Sequence, residues 1–154
     1  MDKILSGLVL MNGTDIWTEY GVFLAEEKRG GRDNLKAIMT PSKTKADVAV
    51  NIREEHGEKH SAKLTPRNEA RDVTLCFALY NKTRAGWLKK YFAFIKFLKE
   101  GKDGWLDINF PQLDLTMHVK YSDCPDFTPI TYLWKEGVHA GRFKVRFREP
   151  KPII

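Results

Sequence analysis

The sequence predicts a mainly β domain, a sandwich or barrel, with one α-helix flanking it between central strands. Three observations carry this expectation. About eight short segments alternate apolar and polar residues, with turn signals roughly every eight to twelve residues. A single stretch, about Arg84–Glu100, repeats its apolar residues with a helical period. The segment before it, Asp72–Tyr80, is apolar on both faces and so belongs in the middle of the structure. The chain has 154 residues, 42% of them hydrophobic and 12% aromatic. It is read as a single domain, 1–154, which at this size buries about two-thirds of its unfolded surface without a disulfide or metal staple.

Taken in order, Leu8–Met11 reads as a short strand, and Asn12-Gly13 as a tight turn, because both residues tolerate positive φ. Ile16–Tyr20 leads through Gly21 to a second apolar run, Val22–Ala25. A charged loop, Glu26–Asn34, precedes a strand over Leu35–Thr40 that Pro41 ends. Ala46, Val48, Val50 and Ile52 alternate with polar or small residues, as in one half-buried strand. The whole of Ser42–Asn68 is read as a long charged loop or hairpin, a length that signals function or mobility.

Beyond the central strand and helix, a Gly-Lys-Asp-Gly turn leads to a strand at Trp105–Phe110. Leu113–Tyr121 alternates cleanly, with Leu113, Leu115, Met117, Val119 and Tyr121 inward. Ser122–Pro129 reads as a turn region and Ile130–Trp134 as a strand. Glu136-Gly137 turns into Arg142–Arg148, where Phe143, Val145 and Phe147 alternate with four basic residues.

The net charge of +6 has one source. Lys82–Lys102 holds seven basic residues and one acid, whereas the remainder holds 19 of each sign. That basic region could meet nucleic acid, an acidic partner or solvent. On the helix, Trp87, Leu88, Tyr91, Ile95 and Leu98 form one apolar stripe; Phe94 and Phe92 flank it, and Phe97 lies almost opposite, near Lys90. This arc is wider than one sheet face needs. Either the helix is sunk between two layers, or Phe92 and Phe97 are covered by another subunit. The reading adopted gives the helix two roles, with the stripe holding the domain together and the Phe97/Lys90 side meeting another chain. The basic face of Arg142, Lys144, Arg146 and Arg148 fits a solvated edge strand, whose charges prevent edge pairing, or an electrostatic subunit contact.

Other chemistry is sparse. Cys76 and Cys124 read as reduced, unpaired thiols. His56 and His60 lie near Glu54, Glu55 and Glu58, but Gly57 intervenes and the order is not HExxH, so no metal is assigned. No nucleophile elbow, phosphate loop, dinucleotide fingerprint or paired-carboxylate spacing is present, so no catalytic residue and no cofactor are assigned. No N-terminal signal pattern and no apolar run near ~20 residues is seen, which implies a soluble chain made in a cytosol and no membrane partner.

Several segments together resemble bacteriophage tail proteins of the tail-tube and distal-tail type. They are Leu10-Met11-Asn12-Gly13-Thr14-Asp15-Ile16 with Tyr20–Leu24, Arg71–Phe77 followed by a helix, Trp105–Ile108, Leu113–Tyr121 and Gly141–Phe147 with Pro150. The resemblance runs from Leu8 to Pro150. It implies a tail-tube-like β-sandwich with a flanking helix and assembly into a ring, commonly a hexamer, of the tail tube or distal hub. It further implies a non-enzymatic structural role in the virion tail, other tail proteins as partners, residence in host cytoplasm during assembly, and a 42–68 segment contacting the next ring. The subunit-interface residues expected on this reading are Phe92, Phe97, Lys90, Arg142, Lys144 and Arg146. The alternative is a small basic β-barrel that binds nucleic acid through Lys89, Lys90, Lys96 and the Arg142–Arg148 face.

Overall fold

The computed structural model describes residues 2–47 and 49–154. One seven-stranded antiparallel sheet dominates it, curled into a half-barrel around a long helix, so the mainly β expectation is borne out. The sheet starts with β1 (Leu10–Met11) and β2 (Thr14–Asp15), joined by the expected Asn12-Gly13 turn with φ of 51° and 80°. β3 is Val22–Leu24, and β6 is Arg71–Asn81. Helix α4 spans Arg84–Glu100 and leads to β7, Leu106–Phe110. β8 (Leu115–Pro129) and β9 (His139–Glu149) complete the sheet, in the order β2-β1-β7-β8-β9-β6-β3.

Alternation decides which face is buried. Phe77, Leu75 and Val73 lie opposite Phe143, Val145 and Phe147 across β6 and β9, all on the concave face. Leu106, Ile108 and Phe110 continue that face opposite Val119, Met117 and Leu115. Helix α4 closes it by inserting Trp87, Phe94 and Leu98. Thr83 caps the helix, its hydroxyl accepting from the Gly86 N–H at 3.0 Å. Phe94 sits edge-on to Phe77 and Phe143, with centroids at 5.8 and 6.0 Å.

Among the described residues three short helices accompany α4, where the sequence suggests one helix only. α1 is Asp2–Leu5, and α2 is Ile16–Tyr20. Asp15 caps α2 and gathers donors from Gly7, Ser6, Trp17 and Thr18. Burial alone would raise the Asp15 carboxyl, but these hydrogen bonds outweigh it and hold the group below its usual range. The third helix, α3 (Asp33–Met39), replaces the strand expected at Leu35–Thr40. Its cap is not local: the Glu26 carboxylate accepts from the N–H groups of Asp33 and Asn34 at 3.0 and 3.1 Å.

Asn34 then does what a further strand residue would do. Its side-chain oxygen accepts from Cys76 N–H at 2.7 Å, and its amide donates to Ala25 O at 2.7 Å. The buried amide thus extends the β3–β6 ladder past the point where the two backbones part. Asn34→Ala is expected to cost about 1–3 kcal/mol in urea unfolding, because it strands a buried N–H and a carbonyl.

Other boundaries also move. Leu113 lies in a 3-10 turn (Pro111–Leu113) and is exposed, so it does not point inward. Ser122–Pro129, expected as a turn, is the second half of β8. β8 pairs first with β7 and then with β9, and two irregularities, between Tyr121 and Asp123 and between Asp123 and Asp126, absorb Pro125. Such bulges bend a strand and here turn the sheet's corner. Ile130–Trp134 forms turns instead of the expected strand. β9 lies between β8 and β6, so Arg142–Arg148 is a central strand and not an edge.

The 42–68 segment is a hairpin standing off the sheet. β4 (Ala49–Asn51) pairs with β5 (Glu58–His60), and Thr44 bridges Asn68 at the base. β4 and β5 are wholly exposed, which replaces the half-buried strand expected at 46–52; Val48 lies outside the described residues. His60 Nδ1 lies 2.6 Å from Asp47 Oδ2, and this hydrogen bond raises the imidazole above its ordinary value. The contact is therefore complete below about pH 6.5, the unperturbed value, and is lost as pH rises through the raised one. An NMR titration of His60 should show its midpoint above that of a free histidine, and Asp47→Asn should bring it back down.

Candidate functional site

The six expected interface residues do not form one patch. Lys90 and Phe97 face α2 within their own chain: Lys90 Nζ donates to Glu19 O at 2.6 Å, and the half-buried Phe97 ring lies 5.5 Å from Tyr20. Phe92 points away, with 65% of its surface open, among the exposed Lys89, Lys96 and Lys99. Arg142, Lys144 and Arg146 lie on the convex face of the sheet, across from α4. The charges of Lys144 and Arg146, and of Arg148 beside them, are already matched. Lys144 pairs with Glu27, Arg148 with Asp72, and Arg146 grips both oxygens of Asp123 at 2.7 and 2.8 Å. The Arg146 hydrogen bond holds Asp123 below the usual carboxylate range, as Lys144 does for Glu27. Arg142 donates to Glu26 O at 3.3 Å.

The two thiols sit on opposite faces. Cys76 is buried beside Asn34, and Cys124 packs at the edge of the core. Burial pushes both up from their usual value, which favours the unreactive thiol. Tyr91, under the same apolar cover, is pushed up to about 12. Among the described residues no three His, Cys, Asp or Glu side chains gather as a metal site would need.

The most distinctive surface is one the sequence reading assigned to a strand. The loop from Ile130 to Val138 joins β8 to β9 and exposes Ile130, Tyr132, Trp134 and Val138; Trp134 is 85% open and Tyr132 74%. An apolar groove beneath it is formed by Leu88, Phe127 and Leu133. The loop is braced at two points. Arg84, in the first turn of α4, donates to Trp134 O at 2.9 Å and pairs with Glu136. Buried His139 donates through Nε2 to Lys135 O at 2.5 Å, so its Nδ1 accepts from the Thr131 hydroxyl at 2.7 Å. A signal was present in the sequence: Ile-Thr-Tyr-Leu-Trp supplies more aromatic surface than a domain already furnished with a core requires.

A second apolar feature is concave. A cavity of about 290 Å³ opens where α1, α2, β3 and α3 meet the 3-10 turn, lined by Val9, Ile16, Val22, Leu24, Leu35 and Leu113 among others.

No family model matches the chain, and no curated protein matches it. In fold, the chain is similar to the crystal structure of SPP1 Dit, described as a paradigm of the hub adsorption apparatus in phages that infect Gram-positive bacteria. The TM-score is 0.53 at 15% identity, over 94% of this chain and 52% of that one. The chain therefore spans about half the length of SPP1 Dit, and at this identity the likeness is one of fold.

Proposed function

We propose that this protein is a structural subunit of a bacteriophage tail that assembles with copies of itself into a ring of the distal hub or tail tube. The observation that supports this most is the likeness to a phage hub protein over 94% of the chain. The surface agrees with it. A self-assembling subunit needs apolar area beyond its own core, and Trp134, Tyr132 and Phe92 supply it. On this reading Phe92 is the part of α4 that meets a neighbouring chain, and the 42–68 hairpin is an arm toward the next ring. The role is mechanical and not enzymatic, with other tail proteins as partners, in the virion tail and, during assembly, in the host cytoplasm. None of the described helices is long and apolar enough to cross a membrane. Negative-stain microscopy of the concentrated protein tests the reading: closed rings of uniform diameter support it, and a field of monomers under every condition overturns it.

One observation favours a second reading. Lys89 and Lys96 on the open face of α4 have no carboxylate partner among the described residues. On the convex basic face, by contrast, Lys144, Arg146 and Arg148 are matched by acids, which leaves a nucleic-acid surface without most of the contacts expected from that face. Salt-sensitive retention on a polyanion column would support nucleic-acid binding; absence of retention at low salt would dismiss it.

A further inference from the structure

The Tyr132–Trp134 loop, a projecting knob, and the cavity belong to different parts of one molecule, and both are apolar. The loop presents two aromatic side chains, Tyr132 and Trp134, on a backbone held by Arg84 at one side and His139 at the other. A braced aromatic loses little freedom on docking, and Trp and Tyr dominate the energetics of protein interfaces. The cavity is apolar, and its roughly 290 Å³ is near the small end of what holds an organic ligand, enough for an aromatic side chain. Charge agrees with shape. Beside Trp134, Lys135 has no acidic partner among the described residues, whereas Glu136 is held by Arg84. Among the described residues the only charged side chain lining the cavity is an acid, Glu26, whose carboxylate keeps its negative charge while accepting from the N–H groups of Asp33 and Asn34.

We propose that the Tyr132–Trp134 loop of one copy seats in the cavity between α2, β3 and α3 of the next copy, with Lys135 facing Glu26. This rests on the self-assembly reading and names its contact. Because knob and cavity are different surfaces, the contact is head-to-tail, so repetition closes a ring or extends a filament.

The test uses two variants that are mild on the fold, since each changes an exposed residue. Trp134→Ser removes the knob, and Leu35→Arg, 46% exposed at the cavity mouth, obstructs the hole. Thermal melting first confirms that each variant is folded; should Leu35→Arg fail, Leu113→Arg at the same mouth replaces it. In sedimentation velocity, each variant alone should associate at least about tenfold more weakly than wild type. Mixed in equal amounts, they should form a heterodimer and stop there, because each pair retains one intact knob and one intact cavity. Wild-type assembly by both variants overturns this contact and leaves self-assembly standing. Weakened variants that gain nothing on mixing also overturn it, since an intact knob and an intact cavity are then present together and do not meet. A wild type that is monomeric throughout overturns both.

Discussion

Replacing Trp87 by alanine is expected to lower the unfolding free energy by about 3–5 kcal/mol, the largest single loss from the core. The indole is 1% exposed and stacks on Tyr91 with centroids 5.0 Å apart and planes at 18°. Phe127 meets its edge at 6.1 Å, and its N–H donates to Leu79 O at 2.9 Å. Alanine would leave a cavity where helix and sheet join, and deprive a buried carbonyl of its donor. For a domain near 150 residues this corresponds to a fall in Tm of roughly 6–20 °C. Trp87→Phe should recover part of the loss. The opposite face shows the tightness of the fit: a Cβ on Gly141 would lie 2.8 Å from the Trp87 ring, so the strand beneath the indole has room only for glycine.

The second large effect lies at the far end of the same two strands. Arg71 and Glu149 face each other directly in the β6–β9 register, with Nε 2.5 Å from Oε1 and both side chains almost wholly buried. Arg71 also donates to Thr40 O at 2.5 Å, which ties the end of α3 to the sheet. Glu149→Ala should destabilise by about 3–5 kcal/mol, because it leaves a buried guanidinium without its counter-charge. The double variant Arg71→Met with Glu149→Leu should recover most of this, since removing both charges also removes their desolvation cost. Urea unfolding of Arg71→Met, Glu149→Leu and the double variant gives the coupling directly. A Glu149→Ala loss below about 1 kcal/mol would mean that water reaches the pair, as at exposed ion pairs.

How much of this was legible in the sequence differs by element. β6 and α4 can be read almost to the residue, because their periods are long and the ends of α4 carry local signals such as Thr83 and Gly101, whereas β9 is read from Arg142 and begins three residues earlier, at His139. α3 could not, since its cap comes from Glu26 and its Asn34 acts on a strand 42 residues away. The sequence ends β8 at Tyr121 and reads Ser122–Pro129 as a turn, because Cys124, Pro125 and Asp126 look like one, yet a bulged strand accommodates them. The outward charges of Arg142–Arg148 could be read from alternation, but not that β9 is central, because a strand's own pattern does not name its neighbours. The proposed assembly surface is least legible. Phe97 and Lys90, chosen from the helical wheel, are engaged by α2, a helix that the wheel does not include. Ile130–Trp134 has the alternation of a buried strand but no strand partner, so its aromatics remain outside. Local pattern and global fold disagree there, as they do where a sequence serves a function beyond its own folding.

On the proposed function, copies of this chain assemble through surfaces that the monomer leaves open. Size-exclusion chromatography with light scattering, run from dilute to concentrated protein, tests it most directly. The mass should rise to a defined multiple of 17.8 kDa and hold there. A mass of 17.8 kDa at every concentration would contradict it.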